Sequence, residues 1–143
     1  MIKIRKAKQK DKNKIVKILK DADEYYPHQK IKDFFVAEEK NEILGTVQIK
    51  DYKDFLFLSS LCVKRDKMRK GIGSLLLKKF IMNNKKDVYL YTVIPNFFKK
   101  FGFKKTENFS FLPSKKYLRC KECFPKKCVT MVKKQNDASL SRI

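Results

Sequence analysis

Carboxylates are scarce in this chain. Fifteen Asp and Glu stand against 36 Lys and Arg, for a formal net charge of +21. Such a surface attracts anions over long range, with nucleic acid or a phosphate-bearing cofactor as the obvious candidates. The positive residues are mostly lysines spread along the whole sequence, whereas nucleic-acid readers concentrate arginines and aromatics on one face. A nucleic-acid partner is therefore not expected. No apolar run approaches about 18 residues, so no membrane span is expected. "MIKIRKAKQK" at the start has no long apolar segment, so a secretory signal is not expected and the cytoplasm is the expected location. Two phosphate-binding signatures are also missing. G-x-x-x-x-G-K-[ST] does not occur, and G-x-G-x-x-G fails because Leu76 stands at its third glycine.

What remains is enough for a globular protein. Hydrophobic residues make up 43% of 143 positions and cluster in runs, which suits one domain over residues 1–134 and a loose polar tail over 135–143. "IKIRKA" alternates as a strand should. Asp11, a good N-cap, precedes a helical pattern reaching about Asp21. "DADEYYPHQK" reads as a loop or a short helix. "DFFVAEE" and "ILGTVQIKDY" read as a hairpin around "KNE", and "DFLFLSSLCV" as a central strand covered on both faces. Ile72, Leu75, Leu76 and Phe80 share a helical face. "DVYLYTV" is a further strand, and Pro95 opens a short helix. "GFKKTE" and "CVTMVKK" close the series. This order predicts an α/β layered fold.

The segment "KMRKGIGSLLLKKF" poses the central question. A helix N-terminus presents unpaired N–H groups and partial positive charge, and after a buried strand it becomes an anion site. Gly71 and Gly73 let the backbone approach a ligand closely, and Arg69 and Lys70 add charge. An isolated G-x-G is equally consistent with a turn that merely starts a helix.

Context favours the cradle. "LCVKRDKMRKGIGSLLL" resembles the central motif of the Gcn5-related N-acetyltransferases. There, a strand ending in a Leu-x-Val-like triplet leads into [Arg/Gln]-x-x-Gly-x-[Gly/Ala] and an apolar helix. The opening "IRKAKQKDKNKIVKIL" and the later "FFKKFGF" are similar to further landmarks of that family. The resemblance implies a mixed, mostly antiparallel sheet with helices on both faces, and acetyl-coenzyme A as co-substrate. It implies that the backbone N–H groups of Met68, Arg69, Lys70, Gly71, Ile72, Gly73 and Ser74 hold the pyrophosphate. Leu61 and Val63 would pair with the pantetheine arm and polarise the thioester carbonyl. Two departures stand out: Met68 replaces the usual Arg or Gln, and Phe98 stands where many members carry a tyrosine that protonates the leaving thiolate. The activity implied is N-acetyl transfer to a primary amine of a small molecule or amino acid. A catalytically weak acyl-coenzyme A sensor of the same fold is the alternative. The family often pairs through its last strands, so a homodimer is conceivable.

Amine acetylation needs a base. Many relatives place a glutamate in the central strand, where this chain has only Asp54 at the start. Ser59 or Ser60 could orient a water. Of Tyr89 and Tyr91, one should face the cleft, and Tyr91 is the catalytic candidate. His28, Glu24 and Tyr25 fall in the segment that lines the family's acceptor pocket. The stretch "FFKKFGF" with "LPSKKYLRCKECFPKKC" resembles the acetyltransferase module of N-acetylglutamate synthases. Cys120, Cys123 and Cys128 form C-x-x-C-x4-C, a spacing suited to zinc, or to a loop that simply packs. A fourth ligand would have to be Cys62, His28 or a carboxylate.

Overall fold

The computed structural model describes residues 1–26, 29–82, 84–114 and 128–135. Seven strands and three α-helices are built from them. In order they are β1 (Lys3–Lys6), α1 (Lys12–Asp21), β2 (Phe34–Glu39), β3 (Glu42–Asp51), β4 (Phe55–Val63), α2 (Ile72–Ile81), β5 (Asp87–Thr92), α3 (Pro95–Lys99), β6 (Lys104–Thr106) and β7 (Val129–Lys133). One seven-stranded sheet runs β1-β2-β3-β4-β5-β7-β6. Every neighbouring pair is antiparallel except β4 and β5, so the mixed, mostly antiparallel sheet expected from the sequence is present.

Local chemistry sets the joints. Lys40 and Asn41 both carry positive φ (50° and 65°), the geometry a two-residue turn needs to match the twist of β2 and β3. Asp11 does not cap α1 with its side chain. Its carboxylate instead accepts the Lys8 N–H at 2.8 Å and two bonds from the Arg5 guanidinium, at 2.8 and 3.1 Å. Arg5 also reaches Glu38 on β2 at 3.1 and 3.2 Å. This charged bridge ties β1, β2 and the entry to α1 together, and it holds the Asp11 carboxyl down at about 2.

Helices cover both faces. Ile15, Ile18 and Leu19 of α1 pack with Phe34, Val36 and Cys62. On the opposite face α2 packs with Leu44, Leu58, Leu90, Phe98 and Met131. The buried positions of α2 are Ile72, Leu76, Leu77 and Ile81. The sequence reading had placed Leu75 on that face, but Leu75 is 43% exposed. Leu77 is buried instead, because the helix packs across β2, β3 and β4 and buries a broad stripe. Gly45 on β3 is what lets α2 sit so close. A Cβ there would stand 2.9 Å from the Cys62 carbonyl oxygen and 3.1 Å from Ile72 Cγ2.

Candidate acyl-transfer site

The parallel pair β4–β5 is hydrogen-bonded through only three residue pairs, Phe55–Asp87, Leu56–Val88 and Phe57–Tyr89. Beyond them β4 stays with β3 as far as Val63, and β5 stays with β7 as far as Thr92. The two strands therefore part mid-sheet. The opening is a cleft of about 270 Å³, walled by Leu58, Ser60 and Leu61 on one side and by Leu90, Tyr91 and Thr92 on the other.

A β-bulge accompanies the parting. Gln48 pairs with Ser59 and Thr46 with Cys62, so Ser60 and Leu61 together oppose Val47. Ser60 has φ of +50°, and its carbonyl accepts the Thr46 hydroxyl at 3.1 Å. One inserted residue reverses the inside–outside alternation of a strand. Leu61 and Val63 consequently pack on the α2 side and Cys62 on the α1 side.

The strand then delivers the chain to the glycine segment. Arg69 and Gly71 have φ of +65° and +80°, which a glycine tolerates and other residues resist. The first helical bond of α2 runs from the Leu75 N–H to the Gly71 carbonyl at 3.0 Å. The N–H groups of Ile72, Gly73 and Ser74 thus lack intrahelical acceptors. A Cβ on Gly71 would meet nothing within 4 Å, so the space before the helix is open, while one on Gly73 would lie 3.7 Å from Val63 Cγ2. Met68, Arg69 and Lys70 are exposed around this opening. Of the residues singled out in the sequence, Leu61 lines the cleft, Val63 ends β4, Met68 through Gly71 are exposed before α2, and Ile72, Gly73 and Ser74 form its first turn, with Ile72 buried. Amides, helix dipole and cations there all favour a bound anion.

The other side of the cleft comes from the end of α1. Ala22, Asp23 and Glu24 close the helix through N–H bonds to Ile18, Lys20 and Leu19, with Asp23 in the left-handed region at φ +55°. This is a Schellman arrangement. It turns Glu24 into the cleft, whose lining also includes Tyr26. Gln29 locks the loop in place. Its Oε1 accepts the Tyr26 N–H at 2.9 Å, and its Nε2 donates to the Glu24 carbonyl at 3.1 Å and to Ser60 Oγ at 2.8 Å. The Tyr26 hydroxyl donates to the Glu24 carboxylate. Burial raises the Glu24 carboxyl above its ordinary value, the Tyr26 bond opposes that shift, and Asp23 adds to it.

Tyr91, the catalytic candidate of the sequence, does face the cleft, whereas Tyr89 packs among Phe55, Phe109 and Phe111. The Tyr91 hydroxyl contacts the Pro113 carbonyl and Asn108 Oδ1. Burial pushes it up to about 12, so it stays protonated and is poorly suited to accept a proton. Phe98 is buried on the cleft wall between Phe97 and Phe103 and supplies no hydroxyl. Ser59 is engaged with Gln48 at 3.0 Å. Tyr25 is half exposed beside Lys20. His28, Cys120 and Cys123 lie outside the described residues, as do positions 136–143 of the expected tail. Cys128 is buried and lines the cleft, and Cys62 is buried in the α1 cluster. Among the described residues no group of three or more His, Cys, Asp or Glu is placed to hold a metal, so nothing there supports the zinc reading.

Comparison with known proteins adds the following. Residues 30–105, just over half the chain, match the acetyltransferase (GNAT) domain family. A Chlorobaculum tepidum protein named as an uncharacterised N-acetyltransferase is 34% identical over 98 residues, which cover 65% of this chain and 63% of that protein. The N-acetylglutamate synthase of Neisseria gonorrhoeae, solved with coenzyme A and N-acetylglutamate, superposes with a TM-score of 0.72 at 17% identity, over 93% of this chain and 35% of that one. A Mycobacterium tuberculosis protein in complex with coenzyme A gives 0.69 at 15% identity, over 91% and 97%. The chain thus spans under two thirds of the first relative and about a third of the synthase. Among the described residues no helix is long and apolar enough to cross a membrane.

Proposed function

This chain belongs to the GNAT acetyltransferase family, and on that footing we propose that it transfers an acetyl group from acetyl-coenzyme A to a primary amine of a small molecule. The observation that carries the reading is the junction of the splayed β4 edge with the open N-terminus of α2. Few other arrangements give an extended thiol-bearing arm a strand to pair with and give its pyrophosphate a helix tip to end on. In this reading the Met68–Ser74 backbone holds the pyrophosphate, with Arg69 and Lys70 adding charge. The free edge at Leu61 and Val63 aligns the pantetheine arm and polarises the thioester carbonyl. Holding amine and thioester together can itself remove about 7–11 kcal/mol of the barrier.

Phe98 favours a second reading, an acyl-coenzyme A-binding protein with little turnover, because the cleft lacks a hydroxyl at the position where relatives donate a proton. Calorimetric titration with acetyl-coenzyme A, followed by thiol-release assays with an amine panel, separates the two. Micromolar binding with amine-dependent thiol release supports the transferase. Binding without release supports the sensor. Absence of binding overturns both.

A further inference from the structure

We infer that Glu24, carried on the loop after α1, is the carboxylate that receives the acceptor's proton in this cleft. The inference rests on the transferase reading and deepens it. No acidic residue occurs in β4. The structure instead brings a carboxylate to the cleft from outside the sheet. Glu24 lines the cleft together with Ser60, Leu61 and Tyr91. Its backbone is held by the Leu19 carbonyl at 2.8 Å and by Gln29 and Ser60 across the cleft mouth. Placement this firm is what a proton acceptor requires.

Its surroundings suit the task. Among the described residues, the titratable or hydroxyl groups that line the cleft with Glu24 are Asp23 and Tyr26 from its own loop, Ser60 from β4, Tyr91 from β5 and Cys128 before β7. None of them is a cation that would hold the carboxylate permanently ionised. Desolvation raises its basicity toward that of a useful base, and the Tyr26 hydroxyl keeps part of that rise in check. Three acids, Asp21, Asp23 and Glu24, also gather at the C-terminal end of α1, where the helix dipole disfavours negative charge. In a chain of net charge +21, Asp23 and Glu24, the two of them in the cleft lining, make it a local attractant for an ammonium group.

The step balances without any further reagent. The acceptor enters as an ammonium ion and gives one proton to Glu24. The neutral amine's lone pair then forms the N–C bond to the thioester carbonyl carbon. Collapse of the tetrahedral intermediate breaks the C–S bond, and the thiolate takes the second nitrogen-bound proton through solvent. Glu24 releases its proton to bulk water, leaving amide and thiol.

The test uses the full chain, acetyl-coenzyme A, and a panel of L-glutamate, L-lysine, spermidine and an alanyl peptide. Glu24→Gln should bind acetyl-coenzyme A as the wild type does and lose roughly 10²–10⁴-fold in amine-dependent kcat. Glu24→Asp should recover part of that loss. Tyr26→Phe removes a bond that lowers the Glu24 pKa, so the acidic limb of kcat/KM should move to higher pH. A purely structural role would leave that limb in place. If the wild type acetylates a member of the panel while Glu24→Gln keeps pace with an unmoved acidic limb, the assignment is overturned and the transferase reading stands. If the wild type binds acetyl-coenzyme A but acetylates none of the panel, the transferase reading falls and the assignment with it.

Discussion

Gln29 Nε2 lies 2.8 Å from Ser60 Oγ, joining the loop after α1 to the one residue of β4 held at positive φ. The same amide nitrogen serves the Glu24 carbonyl at 3.1 Å. Together with the Ser60 Oγ–Glu24 carbonyl bond, this side chain fixes the distance between the carboxylate-bearing loop and the bulged strand. Gln29→Leu keeps the approximate volume and removes all three bonds. The expected outcome is a rise of about tenfold in KM for the amine, an unchanged Kd for acetyl-coenzyme A and a stability loss of about 1–3 kcal/mol. Steady-state kinetics, calorimetry and urea unfolding check it.

Gly71 has φ of +80° and open space where a side chain would stand. Gly71→Ala should strain the backbone by roughly 1–2 kcal/mol and weaken acetyl-coenzyme A several-fold. Gly71→Glu adds a carboxylate where a pyrophosphate would sit and should abolish measurable binding. Titration calorimetry of both variants distinguishes a cradle from a plain turn, since a plain turn predicts equal affinities.

At Gly45 the constraint is space rather than conformation. The nearest neighbour is backbone, the Cys62 carbonyl at 2.9 Å, which cannot rotate away. Gly45→Ala should lift α2 from the sheet, cost about 1–3 kcal/mol and lower Tm by about 2–8 °C. Because α2 carries the proposed pyrophosphate site, the affinity for acetyl-coenzyme A should fall alongside. Thermal melts with and without acetyl-coenzyme A read both effects.

Asp11 predicts a specific acid sensitivity. Its carboxyl is held at about 2 by the Arg5 hydrogen bonds, against about 4 for a free aspartate. A depressed acid stabilises the fold above its unfolded pKa. That contribution, on the order of 2 kcal/mol, is lost as pH falls from about 4 through about 2. Asp11→Asn should show the loss already at pH 7 and unfold along a flatter acid profile. Denaturant unfolding at a series of pH values is the measurement.

Phe98→Tyr places a hydroxyl on the cleft wall. If thiolate departure limits the wild type, kcat should rise, by up to about 10²-fold, with KM little changed. An unchanged kcat would show that solvent already protonates the thiolate adequately.

The strands and helices were legible because their patterns are strong. Alternation marked β1, and the pair of turn residues at Lys40 and Asn41 marked the hairpin. The apolar run through Leu61–Cys62–Val63 marked the central strand, and the glycine segment stood directly after it. The errors came where tertiary contacts overrode local rules. Asp11 had the chemistry of a cap, but Arg5 lies six positions upstream and claims the carboxylate. Leu75 fits a narrow apolar stripe, but a helix packed across β2, β3 and β4 buries Leu77 instead. The bulge at Ser60 carries no mark in "LFLSSLCV", since serine is an ordinary strand residue and its left-handed turn arises from packing. Glu24 was one of three ambiguous candidates in the loop. A usable signal was present, in three acids crowding the wrong end of a helix dipole in a lysine-rich protein. Nothing in sequence separates Glu24 from Tyr25, because the choice depends on how the chain turns through Asp23.

The short β4–β5 ladder has a mechanical consequence. Three rungs at one end join the two halves of the sheet, in the manner of a clothes-peg whose spring is that end. Beyond them, among the described residues, the halves are packed through side chains such as Leu58, Leu90 and Met131. In the proposed reading, the pantetheine arm lies along the free edge of β4 and takes the place of the missing rungs. On the proposed reading, acetyl-coenzyme A binding should therefore slow amide exchange along β4 and β5 beyond the three rungs, a change that hydrogen-exchange measurements read directly.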